Sequence, residues 1–375
     1  MKTVFAALTA FLLSLAFWVL MTAPCGASGS WEDWQPAGNR WPWSFPADHG
    51  SHPQFRTEWW YFTGNLVASG NREFGYQLTF FRTGVRPEPA VPGNLWSVRD
   101  LYLAHFAITQ VQDEGFHWTE RASRAGPGLA GTEEGRLEVW LRDWMAVQSD
   151  DGIVLRARSG GMEIDLTLIP RKPPVLHGAE GLSLKGPGAG QSSYYVSITD
   201  LQTEGSIMMP GMNKLKVTGK SWFDHEFGSN QLTADQQGWD WFGLHLSDGT
   251  EVMIYLIRRT DGSLQPESSG TLVAANGTWE RLSLDQMEVQ ATGTWKSPRS
   301  GGEYPSGWDI FIAKAGLRIK VVPRVLNQEL ATKATGGITY WEGAVGVEGS
   351  SLGKEITGFG YVELTGYAGS LGNIF

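Results

Sequence analysis

One strand pattern, rich in tryptophan, occurs twice in this chain of 375 residues. The first copy is EWWYFTGNL at 58–66, and the second is WDWFGLHL at 239–246. Each copy is followed by a glycine-containing turn and by a second apolar strand, which ends at Arg82 in the first case and at Arg258 in the second. Apolar alternation across a turn predicts a β-hairpin. A hairpin written twice predicts two domains of the same fold.

The composition favours an all-β fold. The chain has 48 Gly and 18 Pro, and only 18% of its residues are charged, which is typical of many short strands joined by turns. Its length exceeds what one core usually fills, so we predict two domains, at 28–205 and 206–375. The order of the strands favours an antiparallel up-and-down β-barrel in each half, able to enclose one ligand. A pair of β-sandwiches would also fit the pattern.

The N-terminus has the features of an export signal. Lys2 precedes an apolar run from Val4 to Met21, and small residues follow it. We therefore predict a signal peptide over residues 1–27 and an exported protein, either periplasmic or secreted, that can contact a membrane surface. The alternatives are a retained membrane anchor and a lipid on Cys25, although Pro24 fits a lipoprotein cleavage site poorly. Because Cys25 is the only cysteine, no intramolecular disulfide can form.

Several functional classes are excluded by charge and motif. The formal net charge of -9 and the lack of a Lys and Arg cluster argue against a nucleic-acid partner. The chain has no Gly-x-Ser-x-Gly elbow, phosphate-binding loop or dinucleotide fingerprint. These absences leave serine hydrolases, kinases and dehydrogenases without support, and we predict no cofactor.

Alternation along the two tryptophan strands separates a plain apolar face from a mixed face. Trp59 and Tyr61 share the mixed face of the first copy, and Trp239, Trp241 and His245 share that of the second. Large aromatic groups with a few polar tips are typical of a ligand cavity or of an interface between barrels. The alternative is that these rings simply fill a barrel. The predicted binding residues are Trp59, Tyr61, Trp222, Trp239, Trp241, His245 and Tyr255.

The segment SWFDHEFG at 221–228 places three ionisable groups among bulky apolar residues. As a strand it puts Asp224 and Glu226 on one face and His225 on the other. Two carboxyl groups on an apolar face raise the pKa of one of them, which then can donate a proton. Asp224, His225 and Glu226 are therefore the candidate catalytic residues, and the alternative is a structural polar cluster.

The adjacency of these three residues argues against a metal site, because they cannot all point at one ion from a regular strand. A similar Asp-His-Gly begins at Asp48, ahead of the first tryptophan strand. Since only the motif ahead of the second copy has the extra carboxyl, we expect the chemistry in the second barrel.

Longer motifs resemble the lipocalin-like AttH and carotenoid 1,2-hydratase (CrtC) family. They cover nearly the whole chain after the apolar N-terminus, in order: FPADH at 45–49, RTEWWY at 56–61, AHFA at 104–107, FHWTER at 116–121, SLKGPG at 183–188, WFDHEFG at 222–228, GWDWF at 238–242, YWEGAV at 340–345 and GYVELTGY at 360–367.

This resemblance implies two tandem lipocalin-like (calycin-type) barrels and a pocket for a hydrophobic isoprenoid, carotenoid or lipid-like molecule. It also implies acid-assisted hydration or hydrolysis of that molecule. For a hydratase it implies Asp224 as proton donor, with His225 or Glu226 orienting it or the attacking water. The signal peptide and the Asp-His-Glu-Phe form of the motif are closer to the exported AttH-like branch. That branch implies an alternative, a non-catalytic lipid-binding protein that works with an ABC-type export system.

Overall fold

The computed structural model describes residues 31–88, 94, 97–230 and 233–369. The predicted signal peptide lies outside these residues. Apart from four three-residue 3-10 turns, at Trp31–Asp33, Ala47–His49, Leu284–Gln286 and Ala313–Ala315, the regular structure described is strand. None of the helical segments in these ranges is long and apolar enough to cross a membrane. The all-β prediction is confirmed.

Thirteen strands form the first sheet, and every pair in it is antiparallel. They are β1 Thr57–Ala68, β2 Arg72–Gly84, β3 Asp100–Gln110, β4 Gly115–Arg124, β5 Ala130–Thr132, β6 Glu138–Leu141, β7 Trp144–Ser149, β8 Gly152–Ser159, β9 Met162–Pro170, β10 Val175–Leu176, β11 Leu182–Leu184, β12 Ser192–Met208 and β13 Leu215–Gly228. Edge strand β4 comes into contact with β6, the neighbour of the other edge strand β5, which nearly closes this sheet into a barrel.

The second half contains a sheet of ten strands and a separate two-stranded hairpin made of β19 and β20. The strands are β14 Gln236–Leu246, β15 Glu251–Arg259, β16 Ser269–Val273, β17 Trp279–Ser283, β18 Glu288–Ala291, β19 Thr294–Lys296, β20 Glu303–Pro305, β21 Trp308–Ile312, β22 Leu317–Pro323, β23 Glu329–Ala331, β24 Thr339–Ser351 and β25 Lys354–Leu364.

The two sheets share one design. In each, the tryptophan strand comes first in the chain and pairs on one side with the next strand, as β1 does with β2 and β14 with β15. On its other side it pairs with the last strand of the same sheet, β13 for the first sheet and β25 for the second. The duplication predicted from the two hairpins therefore extends to the way each sheet is joined.

The first sheet ends later in the chain than predicted. The boundary after residue 205 falls inside β12, and both β12 and β13 are hydrogen-bonded members of the first sheet. The chain enters the second sheet only at β14, after Gly228. The physical reason is the long-range pairing of β13 with β1, which a pattern of short strands does not reveal.

Alternation on the tryptophan strands separates two kinds of core. Trp60 and Phe62 point into the first barrel, whose interior is filled by a large apolar cluster. Tyr61 and Trp241 point the other way and pack against each other, with ring centroids 5.2 Å apart, in a third cluster between the sheets. The mixed faces therefore form the interface between the two halves, and the plain apolar faces fill the sheets' own cores.

Candidate functional site

A cavity of ≈ 60 Å³ lies where the mixed faces of the two sheets meet. Aromatic side chains dominate its wall, and three carboxyl groups interrupt them. Its lining residues are Trp59, Tyr61, Gln77, Thr79, Phe81, Tyr195, Asp224 and Glu226 from the first sheet, and Trp239, Trp241, Tyr255, Tyr340 and Glu363 from the second.

The register of β1 against β13 brings the carboxyl groups to the aromatic residues. Asp224 lies directly across from Tyr61, and Glu226 directly across from Trp59. Side chains at paired positions project to the same face. Asp224 and Glu226 therefore lie beside the first tryptophan strand, although the sequence places them shortly before the second. Residues of both sheets line the cavity.

Asp224 is buried and surrounded by donors. Its Oδ2 accepts a hydrogen bond from the Tyr195 hydroxyl at 2.6 Å, and its Oδ1 contacts Ser197 Oγ and Trp222 Nε1. Burial raises the pKa of Asp224 to about 7 although these hydrogen bonds oppose the shift, and the charge of Glu226 adds to it. A carboxyl group with this pKa holds and releases a proton near neutral pH.

Replacing Tyr195 with Phe is expected to raise the pKa of Asp224 further. The Tyr195 hydroxyl accepts from Trp241 Nε1 at 2.9 Å, so its own proton is directed to Asp224, where it favours the ionised carboxylate. The measurement is a pH titration of ¹³C-labelled aspartate by NMR. Tyr340→Phe is the matched control, since the Tyr340 hydroxyl contacts His105 instead. An unchanged Asp224 titration in Tyr195→Phe would contradict this account.

Glu226 differs from Asp224 in having a cation beside it. Lys185 Nζ lies 2.8 Å from Glu226 Oε1, and the lysine side chain is 1% exposed. The same ammonium group lies 4.1 Å from the centroid of the Tyr255 ring, a cation–π distance. The ion pair compensates the charge of Glu226, whereas Asp224 has only neutral partners. The two carboxyl groups therefore lie in different electrostatic environments, one beside a cation and the other among neutral donors.

His225 lies on the opposite face of β13 and does not take part in the cavity, which corrects its prediction as a catalytic residue. Its Nε2 donates to Glu58 Oε1 at 2.9 Å, in a network where Arg82 Nε donates to Glu58 Oε2 at 3.1 Å. Burial opposes the charge of Glu58, but the bonds from His225 and His52 and the charge of Arg82 hold its pKa well below the usual range. The physical reason is the strict alternation of side chains along β13.

His52, Glu58 and His225 are ligand types that bind metals, and their side-chain atoms lie within 4.8 Å of one another. Both histidines, however, place a ring nitrogen 2.9 Å from the same Glu58 oxygen. The guanidinium of Arg82 already neutralises this carboxylate. A second cation there would be repelled, so hydrogen bonds account for the cluster.

Five of the seven predicted binding residues line the cavity: Trp59, Tyr61, Trp239, Trp241 and Tyr255. Trp222 does not line it but supports it, because its indole nitrogen contacts Asp224. His245 is also outside the lining, and its Nε2 donates to the Thr199 carbonyl at 2.7 Å. His245 is thus wrong as a cavity residue, although it packs against Trp222 within the same interface.

Several lining residues were not predicted. Tyr195 and Glu363 are the most important, because one contacts Asp224 and the other adds a carboxyl group from the second sheet. A signal for Glu363 existed in the sequence, since a lone acid stands in the otherwise apolar run GYVEL. No sequence signal distinguishes Tyr195 from its neighbour Tyr194, which packs elsewhere, against Phe227 and Phe55.

Comparisons with known proteins agree with this architecture. A structure of a Nitrosomonas europaea protein assigned to AttH superposes with a TM-score of 0.79 and 34% identity, over 89% of this chain and 99% of the other. The structure of kievitone hydratase from Nectria haematococca gives a TM-score of 0.65 at 17% identity, over 90% and 98% of the two chains. The second match shows the fold alone. Both confirm the predicted lipocalin-like fold.

Sequence comparison gives a related result. Kievitone hydratase from Fusarium solani subsp. phaseoli is 23% identical over 211 residues, a match that spans 56% of this chain and 58% of that protein. The AttH-like family profile matches residues 36–367, which include both sheets and all the residues of the cavity. The chain therefore belongs to the AttH-like family, as the motifs from FPADH to GYVELTGY predict.

Proposed function

We propose that this protein adds water to a carbon–carbon double bond of a hydrophobic, isoprenoid-like molecule whose reacting end enters the cavity between the sheets. The observation that carries the proposal is Asp224, a buried acid with a pKa raised to about 7 at the wall of an aromatic cavity. The sequence similarity to kievitone hydratase from Fusarium solani subsp. phaseoli supports the same class of reaction. At ≈ 60 Å³ the cavity is too small for a whole long isoprenoid, so the rest of the ligand must lie outside it.

The residues suggest a sequence of steps. Protonated Asp224 gives its proton to one carbon of the double bond, which leaves a carbocation on the other. The ring faces of Trp59, Trp241 and Tyr255 stabilise that cation through their quadrupoles. Water then adds to the cation and loses a proton, so alkene and water give an alcohol.

The test is incubation of the purified protein with kievitone and, separately, with an acyclic carotenoid in H₂¹⁸O. Product carrying one ¹⁸O supports hydration, and the position of the label identifies the double bond. If neither compound nor a panel of isoprenoid alkenes gains water, the proposal of hydration is wrong.

The rate of hydration is expected to decrease with pH above about 7. The active form of Asp224 is the protonated one, and its pKa is raised to about 7, so each further pH unit removes about nine-tenths of the remaining acid. A pH profile of kcat/KM measures this decrease in rate at alkaline pH. A rate that stays constant up to pH 9 would show that another group donates the proton.

A second candidate function is binding without chemistry, in which an exported protein carries a lipid for an ABC-type export system. The aromatic lining favours it, because such a wall binds apolar molecules whether or not a proton is transferred. In that case Trp241→Ala weakens ligand binding, Asp224→Asn leaves it unchanged, and the wild type forms no product. Fractionation of the native host would test the proposed periplasmic or secreted location.

A further inference from the structure

The two sheets place one carboxyl group each at corresponding positions of the cavity. Asp224 lies on β13, the last strand of the first sheet, directly across from Tyr61 on β1. Glu363 lies on β25, the last strand of the second sheet, directly across from Trp241 on β14. Both line the cavity, Asp224 as a buried group and Glu363 as a partly exposed one. Glu363 is therefore the structural counterpart of Asp224 on the opposite wall.

A second carboxyl group stands behind Glu363. Glu342 on β24 is its direct cross-strand partner, and residues so paired have Cβ atoms about 4.5–5.5 Å apart. Within the described ranges neither carboxyl group forms an ion pair with a lysine, arginine or histidine. Two such groups at this distance do not both ionise readily, so the pair holds one proton.

One atom of this pair has no partner in the described part of the chain. Glu342 is fully buried, and its Oε1 accepts a hydrogen bond from the Tyr61 hydroxyl at 2.6 Å. Its Oε2 is also buried and makes no hydrogen bond there. An unpaired buried oxygen is costly, so it points to a proton, a water molecule or a ligand hydroxyl in this place. Glu363 is held on one side, where Trp239 Nε1 donates to Oε2 at 3.0 Å.

We propose that Glu363, with Glu342 as the proton-sharing partner behind it, is the general base that takes the proton from the attacking water. This inference rests on the proposed hydration, and it assigns removal of the water proton to a residue of the second sheet. Asp224 forms the new C–H bond and becomes a carboxylate. As the water oxygen forms the C–O bond, its O–H bond breaks and the proton passes to the Glu363 carboxylate. Return of that proton to Asp224 restores the starting state.

The pKa shifts of Glu363 and Glu342 agree with these two roles. Burial raises the pKa of Glu363 to about 7, the charges of Asp224 and Glu226 add to the shift, and the Trp239 hydrogen bond opposes it. Burial also raises the pKa of Glu342 well above the usual range, and the charge of Glu363 raises it further. Near neutral pH the pair therefore holds one proton, mainly on Glu342, and gains or loses a second one at Glu363.

The shared proton is tested without any substrate. Titration of ¹³C-labelled glutamate by NMR is expected to show one carboxyl group that stays protonated through neutral pH and disappears in Glu342→Gln. In Glu363→Gln, the titration of Glu342 should move to lower pH because the neighbouring charge is lost. Glu355→Gln, an exposed change on the same strand, is the control. An unchanged Glu342 titration in Glu363→Gln overturns the shared proton.

The catalytic part is tested with the kievitone and acyclic carotenoid assay. Glu363→Gln is expected to lose hydration at least about 100-fold while binding, followed by tryptophan fluorescence, stays as in the wild type. In Glu363→Ala, added formate should restore part of the rate, which a merely structural residue would not show. Normal turnover in Glu363→Gln overturns the role of Glu363 as the base but leaves the proposed hydration standing. A wild type without product on any alkene overturns the proposed hydration as well, whatever the titration shows.

Discussion

Replacing Asp224 with Asn is expected to lower the rate of hydration by about 10²–10⁴-fold, the usual contribution of a positioned general acid. Asn has nearly the same shape, and its one oxygen can keep the contact with Trp222, while the amide nitrogen takes the place of the oxygen that accepts from Tyr195. What it lacks is an acidic proton, and the aromatic wall cannot supply one. Turnover of kievitone or of an acyclic carotenoid measures the effect, and ligand binding should stay close to that of the wild type.

The control for Asp224→Asn is Asp309→Asn, because Asp309 is exposed on β21 and does not line the cavity. The control should leave both turnover and thermal stability unchanged. Retained turnover in Asp224→Asn would transfer the acid role to another group of the cavity, and Glu363 would be the first to examine. Loss of binding together with turnover would instead indicate that Asp224 holds the cavity in shape.

Replacing Glu58 with Gln is expected to lower the free energy of unfolding by about 3 kcal/mol, because it breaks a buried ion pair from one side. Glu58 and Arg82 are both at most 1% exposed. The neutral amide leaves the guanidinium with less compensation and replaces an acceptor that serves His52 and His225. Urea denaturation followed by tryptophan fluorescence measures the loss.

Glu73→Gln is the matched control for this change. Glu73 pairs with Arg324 between the two sheets, but both side chains are 39% exposed. Surface ion pairs contribute about 0–1 kcal/mol, so the control should cost little. A Glu58→Gln variant no less stable than Glu73→Gln would show that the buried network does not stabilise the first sheet.

The stability difference for Glu58 should depend on pH in a defined direction. The folded-state pKa of Glu58 is held well below its ordinary value of 4.5. Between the folded-state pKa and pH 4.5, the unfolded chain therefore binds a proton at Glu58 that the folded chain does not. The contribution is therefore present above about pH 4.5 and is lost as the pH falls below it. Wild type and Glu58→Gln should become more similar in acid.

The faces of the tryptophan strands could be predicted from alternation alone. Alternation puts Trp59 and Tyr61 on one face and Trp60 and Phe62 on the other, and the structure shows this division at the interface and in the barrel core. Alternation also separated His225 from Asp224, although His225 was retained as a catalytic candidate. A period of two residues is a local property of a strand, and it needs no knowledge of the partner strands.

The partner of each strand could not be predicted in this way. Asp224 stands close to Trp239 in the sequence, yet it pairs across from Tyr61, about half the described chain away. Glu363 and Glu342 were present in motifs without any sign that they face each other. Pairing between distant strands depends on how all the strands of a sheet fit together, so local pattern does not determine it.

The sequence by itself determined that this protein is all-β, that it contains one hairpin twice, and which side chains share a face, because these follow from local periodicity. Only the tertiary structure decided which sheet holds Asp224, that the cavity lies between the sheets, and that a second carboxyl group comes to it from β25. The physical reason is that strand order and register come from long-range hydrogen bonding and packing, and these set which buried acids meet and which of them keep their protons.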